Sequence, residues 1–497
     1  MTSKLALAVA ILLLVLSLAG ITAAAVTINA ARDQVELTAA TIAGDPAVLD
    51  GLDLRLRTTL GHYLFWDTAY TPASARDPET TFDFSTIRRG ETSTRSYDGI
   101  ELSSALSYGF SMSGSGYDED DFANGKSGLI KAYNELYRET PLGEERTKII
   151  NLSDYYDYYP ITGSIYLPEY HLSMEWEDAH LTAAPSKAST QYAAWRLNQY
   201  FKIPMLPDQM LKISLEKSAD GRSVGVGAGT YRADDAAEPE RYTLGSFSVV
   251  ADDACYFTIN ARTTYGNPID ISQIEGGYGI YRLLYSGKTI SIDAIENVYP
   301  LDPADGSIRW LALSPDQTRL LLYRSDGIAL TLTVIDRSAM KTVQTLSLPW
   351  QYPQGEGSMT VYNGGDYHVL CLDYARMLLV EADADGVYGV SLDVAVDADS
   401  LGLGEKDNGH LQHMYSTQVM AWDGTRLAMA DYMSQSGGYS KYKQACDLYL
   451  AVFTADGLQY YGIHETSLNT DTDPYNTNDS CWPMSVDPLT LTWRKTP

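Results

Sequence analysis

The sequence predicts an all-β body with one apolar helix ahead of it. Three observations carry this. Short runs of Val, Ile, Leu, Tyr and Thr return between Gly, Asp, Asn and Pro turns from about residue 33 onward, helical periodicity is scarce, and residues 5–31 hold no charged side chain. The 497 residues would make roughly three domains of about 150 residues, or one large all-β unit. With 45% hydrophobic and 20% charged residues, the chain can bury a sizeable core. Its 36 basic and 64 acidic side chains leave a net charge of −28, a field that repels nucleic-acid phosphates and anionic headgroups. No nucleic-acid partner is expected.

The apolar segment comes first. Residues 5–26 are 22 mostly apolar positions, about 33 Å as a helix against a hydrocarbon core of about 30 Å, so the stretch is long enough to cross a bilayer. Lys4 precedes it, and Arg32 and Asp33 follow. The positive-inside rule then places residues 1–4 in the cytoplasm as a stub and residues 33–497 outside, on a single-pass anchor. Ala23-Ala24-Ala25 also supplies an A-x-A site, so a cleaved signal peptide is the alternative. Either reading places the body outside the cytoplasm.

After the helix, the Gly44-Asp45-Pro46 turn separates the run from Val35 to Ile42 from the alternating Leu52-Asp-Leu-Arg-Leu-Arg57. The run from His62 to Trp66 follows as a further strand. Ser111-Met-Ser-Gly-Ser-Gly116 reads as a mobile loop. Residues 127–137 and 189–200 are the helix candidates, read as insertions between strands.

A weak internal repeat organises the rest, in which a turn carrying Asp leads into a hydrophobic strand. Ser218-Ala-Asp-Gly-Arg-Ser-Val-Gly-Val226, Ser314-Pro-Asp-Gln-Thr-Arg-Leu-Leu-Leu322 and Ala421-Trp-Asp-Gly-Thr-Arg-Leu-Ala-Met429 align without gaps. Asp220, Asp316 and Asp423 are 96 and 107 residues apart, which fits two units of about 50 between successive clear copies. Degenerate copies at 249–257 and 362–370 lie between them. These aspartates read as structural turn residues.

The longest unit runs from Ile308 through Ser314-Pro-Asp316, then Leu320 to Tyr323, Leu330 to Asp336 and Val343 to Leu348, four strands in order. It resembles one blade of the broad group of bacterial β-propellers, WD40-like or YVTN-like. The resemblance covers about 40 residues well, and it implies a fold and no particular activity. A four-stranded blade is hydrophobic on both faces, and radial stacking buries each face on a neighbour. The expectation is therefore a β-propeller of seven or eight blades after one transmembrane helix, with tandem β-sandwiches as the alternative. The C-terminal run from Leu489 to Trp493 is expected to complete a blade begun by the N-terminal strands.

No local catalytic motif stands out. The sequence has no G-x-S-x-G, Walker A or H-E-x-x-H, and no cofactor or metal is assigned. His410-Leu-Gln-His413 reads as a loop pair. Glu381-Ala-Asp-Ala-Asp-Gly386 begins like a calcium loop, but Leu392 stands where the closing Glu would be, and an Asp385-Gly386 hairpin turn explains it better. Asp118 to Asp121 and Asp471 to Asp473 read as solvated loops. Cys446 and Cys481 are a candidate disulfide, while Cys255 and Cys371 fall in strand-like runs and read as buried free thiols.

Tyrosine is the compositional oddity, with 37 Tyr against 9 Phe. The densest cluster is Asp154-Tyr-Tyr-Asp-Tyr-Tyr159. Strand alternation would send Tyr156 and Tyr158 to one face and Tyr155 and Tyr159 to the other, so that some are exposed, either as a recognition patch or as ordinary wet β-surface. The role expected of the body is binding an envelope protein or glycan, as sensor, scaffold or accessory subunit. The alternative is a carbohydrate hydrolase working through carboxylates in a propeller cleft.

Overall fold

The computed structural model describes residues 2–60, 64–84, 99–104, 111–117, 128–174, 181, 183–206, 209–221, 224–231, 242–263, 270–351, 358–373, 376–396, 411, 419–434, 446–467 and 490–494. The chain divides into two units, the first comprising Met1–Arg95 with Ser358–Pro497 and the second Ser96–Gly357. Helix α1 (Thr2–Arg32) contains Ala6–Ala30, a stretch long and apolar enough to cross a membrane or serve as a signal sequence.

Among the described residues, three sheets build the first unit. Met420–Trp422, Leu427–Ser434, Cys446–Thr454 and Gly457–Thr466 form an antiparallel meander, and Leu37–Gly44 adds a fifth strand beside the last. A second meander joins Met359–Asn363, Tyr367–Leu372, Arg376–Ala382 and Tyr388–Ala395. The third contains Leu52–Leu60, Leu64–Thr71 and Ser74–Phe84, and Thr490–Trp493 completes it by pairing Leu52 with Trp493 and Leu54 with Leu491. The C-terminal run thus closes the N-terminal sheet, as expected.

Residue alternation in the 420–466 sheet decides the architecture. Leu427, Met429, Tyr449, Ala451 and Phe453 share a core with Val369, Met377 and Leu379 of the 359–395 sheet. The intervening Ala428, Ala430, Leu448, Leu450 and Val452 share a different core with Leu52, Leu54 and Trp493 of the closing sheet. Successive side chains of a strand point to opposite faces, so this sheet is covered on both sides by other sheets. A sheet of a tandem sandwich would keep one face for solvent. The arrangement is that of stacked propeller blades, and the chain is an all-β protein of the propeller class.

The second unit contains the four strands laid out in the sequence, Ser307–Leu313, Arg319–Ser325, Ala329–Asp336 and Lys341–Gln351. Their sheet packs Ile308, Leu311, Leu320 and Leu322 against Ala254, Tyr256 and Ile280 of the sheet formed by Ser248–Val250, Ala254–Phe257, Gly279–Ser286 and Glu296–Pro300. A further sheet orders Ser111–Tyr117, Val224–Thr230, Met210–Lys217 and Glu145–Asn151. Ser111–Tyr117 is a strand and not the loop its Ser-Gly composition suggested, because pairing with Val224–Thr230 supplies the hydrogen bonds that the local sequence leaves open. Gly99–Ser104, Ile161–Leu167 and Tyr170–Met174 make a smaller sheet. The two predicted insertions are helices, α2 (Gly128–Glu139) and α3 (Gln191–Phe201).

The repeated aspartates organise hairpin turns. The Ser314 hydroxyl donates to Asp316 Oδ1 at 2.6 Å, and the Thr318 amide and hydroxyl donate to its carboxylate at 3.0 and 2.8 Å. These donors hold the Asp316 carboxyl down at about 2. Burial alone would raise the Asp423 carboxyl, but the Arg426 and Thr425 amides, at 2.7 and 2.9 Å, keep it below its ordinary value. Asp220 accepts from the Ser218 hydroxyl at 2.7 Å. The Asp316 and Asp423 turns each join the first two strands of their sheet, whereas the Asp220 turn joins the two central strands of a sheet with a different chain order. Asp383 accepts from the amides of Asp385 and Val387 at 2.9 and 3.0 Å, so the calcium-like stretch is a hairpin turn. Cys255 and Cys371 are buried free thiols, both pushed up to about 12 by burial and so inert.

Trp493 is 7% exposed, donates its indole N–H to Ala421 O at 3.0 Å and lies under the Arg426 guanidinium at 4.0 Å. Trp493→Ala should lower stability by about 3–5 kcal/mol in urea unfolding, and a loss below about 1 kcal/mol would mean the strand does not close the sheet. Burial pushes His368 and His464 down to about 4 from the ordinary 6.5. The unfolded chain then binds more protons than the folded one between pH 4 and 6.5, so stability should fall as pH drops through this window. His464→Gln should make that fall shallower in urea titrations, and an unchanged slope would count against the burial argument.

Candidate binding surface

The predicted tyrosine cluster lies between the two helical insertions of the second unit. Asn151 ends the Glu145–Asn151 strand, and its side chain accepts the Ser153 amide at 3.2 Å, starting the short 3-10 turn Leu152–Asp154. The tyrosines are therefore not on a strand. Tyr156 and Tyr159 are buried, at 6% and 0% exposure, while Tyr155 and Tyr158 are half exposed. This corrects the expected alternation, which paired Tyr156 with Tyr158 and Tyr155 with Tyr159.

Each buried tyrosine fixes a helix. The Tyr156 hydroxyl accepts the Leu129 amide at 2.8 Å, satisfying one of the unpaired donors in the first turn of α2. Close approach requires Gly128, where an added Cβ would meet Tyr155 O at 2.6 Å and the Tyr156 ring at 2.8 Å. The Tyr159 amide donates to Ile203 O at 2.7 Å, just past α3. Asn198 within α3 accepts the Ile161 amide at 2.7 Å and donates to Ile161 O at 2.9 Å, locking the helix to the next strand. Tyr156, Tyr159, Tyr192 and Tyr200 all enter one core.

What remains outside is aromatic and charged. Tyr155 donates to Glu135 Oε2 at 2.9 Å, and Lys148 reaches the same oxygen at 2.7 Å. Lys148, then Tyr155, holds the Glu135 carboxyl below its ordinary value. Lys202 Nζ lies 5.9 Å from the Tyr158 ring centre and Lys217 Nζ lies 3.6 Å from that of Tyr137. Tyr192 on α3 and Lys187 just before it both donate to Asp293 at 2.6 Å, and Arg196 on α3 makes a two-pronged pair with Glu275 at 3.0 and 3.2 Å. Lys187, then Tyr192, holds the Asp293 carboxyl down. Burial pushes the Tyr200 phenol up to about 12, so it stays protonated. The ion pairs around α3 escaped the sequence reading because their partners are 79 and 106 residues apart, 196 from 275 and 187 from 293.

Fixed rings with cations beside them present flat apolar faces rimmed by donors, which suits stacking and hydrogen bonding with a ligand. Among the described residues, no group of three or more His, Cys, Asp or Glu could hold a metal ion. The candidate disulfide lies outside the described side chains, since Cys481 and the Cys446 thiol are not among them. His410, His413 and the acidic loops at 118–121 and 471–473 also lie outside them.

No protein-family model matches the chain, and no curated protein matches it in sequence. Solved structures similar to it include a putative 6-phosphogluconolactonase from Bacteroides fragilis, 9% identical over 90% of this chain and 99% of that one, at a TM-score of 0.28. Another, from Bacteroides uniformis, is 10% identical over 82% and 94% of the two chains, at a TM-score of 0.25. The β-propeller domain of Cps50 (Swd1) from Myceliophteria thermophila is 9% identical over 52% of this chain and 92% of that one, at 0.22. Likenesses this remote add nothing to the architecture derived from the sheets.

Tyr156→Phe should cost about 1–3 kcal/mol, because it leaves the buried Leu129 amide without its acceptor. Tyr158→Ala should stay within about 0.5 kcal/mol of the parent in the same denaturation assay. The reverse order of costs would contradict the division into packing and surface tyrosines.

Proposed function

We propose that the chain is a membrane-anchored, extracytoplasmic propeller that binds a protein or glycan at the cell envelope, as a sensor, scaffold or accessory subunit. The surface used is the insertion of the second unit, around Tyr155 and Tyr158. One observation carries this reading: two tyrosines remain half exposed on a segment whose other two, Tyr156 and Tyr159, are spent on pinning it. A rigid scaffold carrying an aromatic surface loses little entropy on binding.

The apolar helix with Lys4 before it and Arg32 after it supports an anchor with the body outside. At the tyrosine insertion itself, the electrostatics fit binding better than acid catalysis. A glycosidase acid needs a carboxyl held above its ordinary value, whereas Glu135 and Asp293 beside the insertion are held below it by their donors.

A photo-crosslinking side chain placed at Tyr158, and in a control chain at the exposed blade residue Val343, tests the proposal in intact cells. A discrete adduct with an envelope protein or glycan is expected at 158 and none at 343. Equal labelling at both sites, or cleavage of envelope polysaccharide by the purified body, would overturn it.

A further inference from the structure

The link between α1 and the first sheet sets which end of the first unit meets the membrane. The Glu36 amide donates to the Ser467 hydroxyl at 3.0 Å, and the Ser467 amide donates back to Glu36 O at 3.0 Å. Glu36 is therefore pinned to the end of the Gly457–Thr466 strand. Between it and the last helical residue, Arg32, lie only residues 33–35. Fully extended, the four steps from Arg32 to Glu36 span at most about 14 Å. The link is folded tighter than that, since Asp33 N donates to Asn29 O at 3.1 Å and Val35 N to Arg32 O at 3.4 Å.

From this end, Leu37–Gly44 runs away for eight residues, about 27 Å of strand. The far end of that strand is equally well defined. Asp45 N donates to Gln459 O at 3.0 Å, and Arg426 donates to the carbonyls of Val48 and Asp50 at 2.8 and 3.0 Å. Arg494 N donates to Gly51 O at 2.7 Å, and the Trp422 indole reaches Glu381 at 3.1 Å. The Asp423 turn, the start of Leu52–Leu60 and the Asp383 turn therefore share the far rim. Glu465 and Ser467 share the near one.

We propose, resting on the anchor reading above, that the near rim of the first unit, at Glu36, Glu465 and Ser467, is seated against the lipid headgroups. The far rim, with Trp422 and the Asp turns, faces away from the bilayer. The short pinned link imposes this seating, and charge attraction does not, because a body of net charge −28 is repelled by anionic lipid.

The test uses the full chain in phosphatidylcholine nanodiscs doped with a nickel-chelating lipid. Nitroxides are attached at Glu465→Cys or Asp385→Cys, both exposed positions, with Cys446 and Cys481 changed to Ser. Headgroup nickel should relax the label at 465 severalfold more than the label at 385. A long flexible Gly-Ser insertion after Arg32 should erase that difference. Equal relaxation in the uninserted chain, or stronger relaxation at 385, would overturn the seating while leaving the anchor intact. Release of the chain from membranes by alkaline carbonate would instead overturn the anchor reading, and the seating with it.

Discussion

Burial of both faces of the same sheet is the constraint on which the first unit depends. In Leu427–Ser434 and Cys446–Thr454, odd and even residues enter different cores. Neither face can be left to water without exposing a contiguous apolar patch. Each sheet therefore needs a neighbour on each side, and the chain meets that need partly with its own ends. Thr490–Trp493 completes the sheet begun at Leu52, and Leu37–Gly44 covers the outer edge of Gly457–Thr466. Both sheets thus gain their outermost strand from a segment distant in the sequence.

In the second unit, two helices pack into the core of the sheets, where Leu129 and Leu197 join Ile150, Ile161 and Ile213. Helices α2 and α3 and the tyrosine turn between them share one core, and buried hydroxyls and amides tie the three together. Tyrosine serves both sides of this boundary. Its ring fills the core at positions 156, 159 and 200, and at 155 and 158 it keeps a polar tip at the surface. The ion pairs around α3 contribute little to stability individually, and Asp293, paired with Lys187, also accepts the Tyr192 hydroxyl.

Features written as local patterns were legible in the sequence. Alternating and apolar runs located strands such as Leu52–Leu60 and the four from Ser307 to Gln351, Asp-containing turns located the hairpins at 316 and 423, and the uncharged stretch located α1. Even the return of the C-terminal run to the N-terminal strands was expected, from the requirement that a ring close, although its register with Leu52–Leu60 was not. The misreadings have two physical causes, a local cap that turns the chain and distant partners that override a local signal. Asn151 caps a turn that breaks the tyrosine alternation, and Gly128, from a separate helix, admits the Tyr156 ring. Ser111–Tyr117 becomes a strand only because Val224–Thr230 lies beside it. At the candidate surface, the tyrosine segment was visible from composition, but which rings stay exposed depended on α2 and α3.

Native-state hydrogen exchange on two cavity variants of a single strand tests the two-faced sheet most directly. Leu450→Ala removes packing from the core shared with Leu52 and Trp493, and Phe453→Ala from the core shared with Val369 and Leu379. The account predicts that the first variant loses protection mainly in Leu52–Leu60, and the second mainly in Tyr367–Leu372 and Arg376–Ala382. Finding that either substitution leaves protection unchanged, as for a solvent-facing residue, would contradict it.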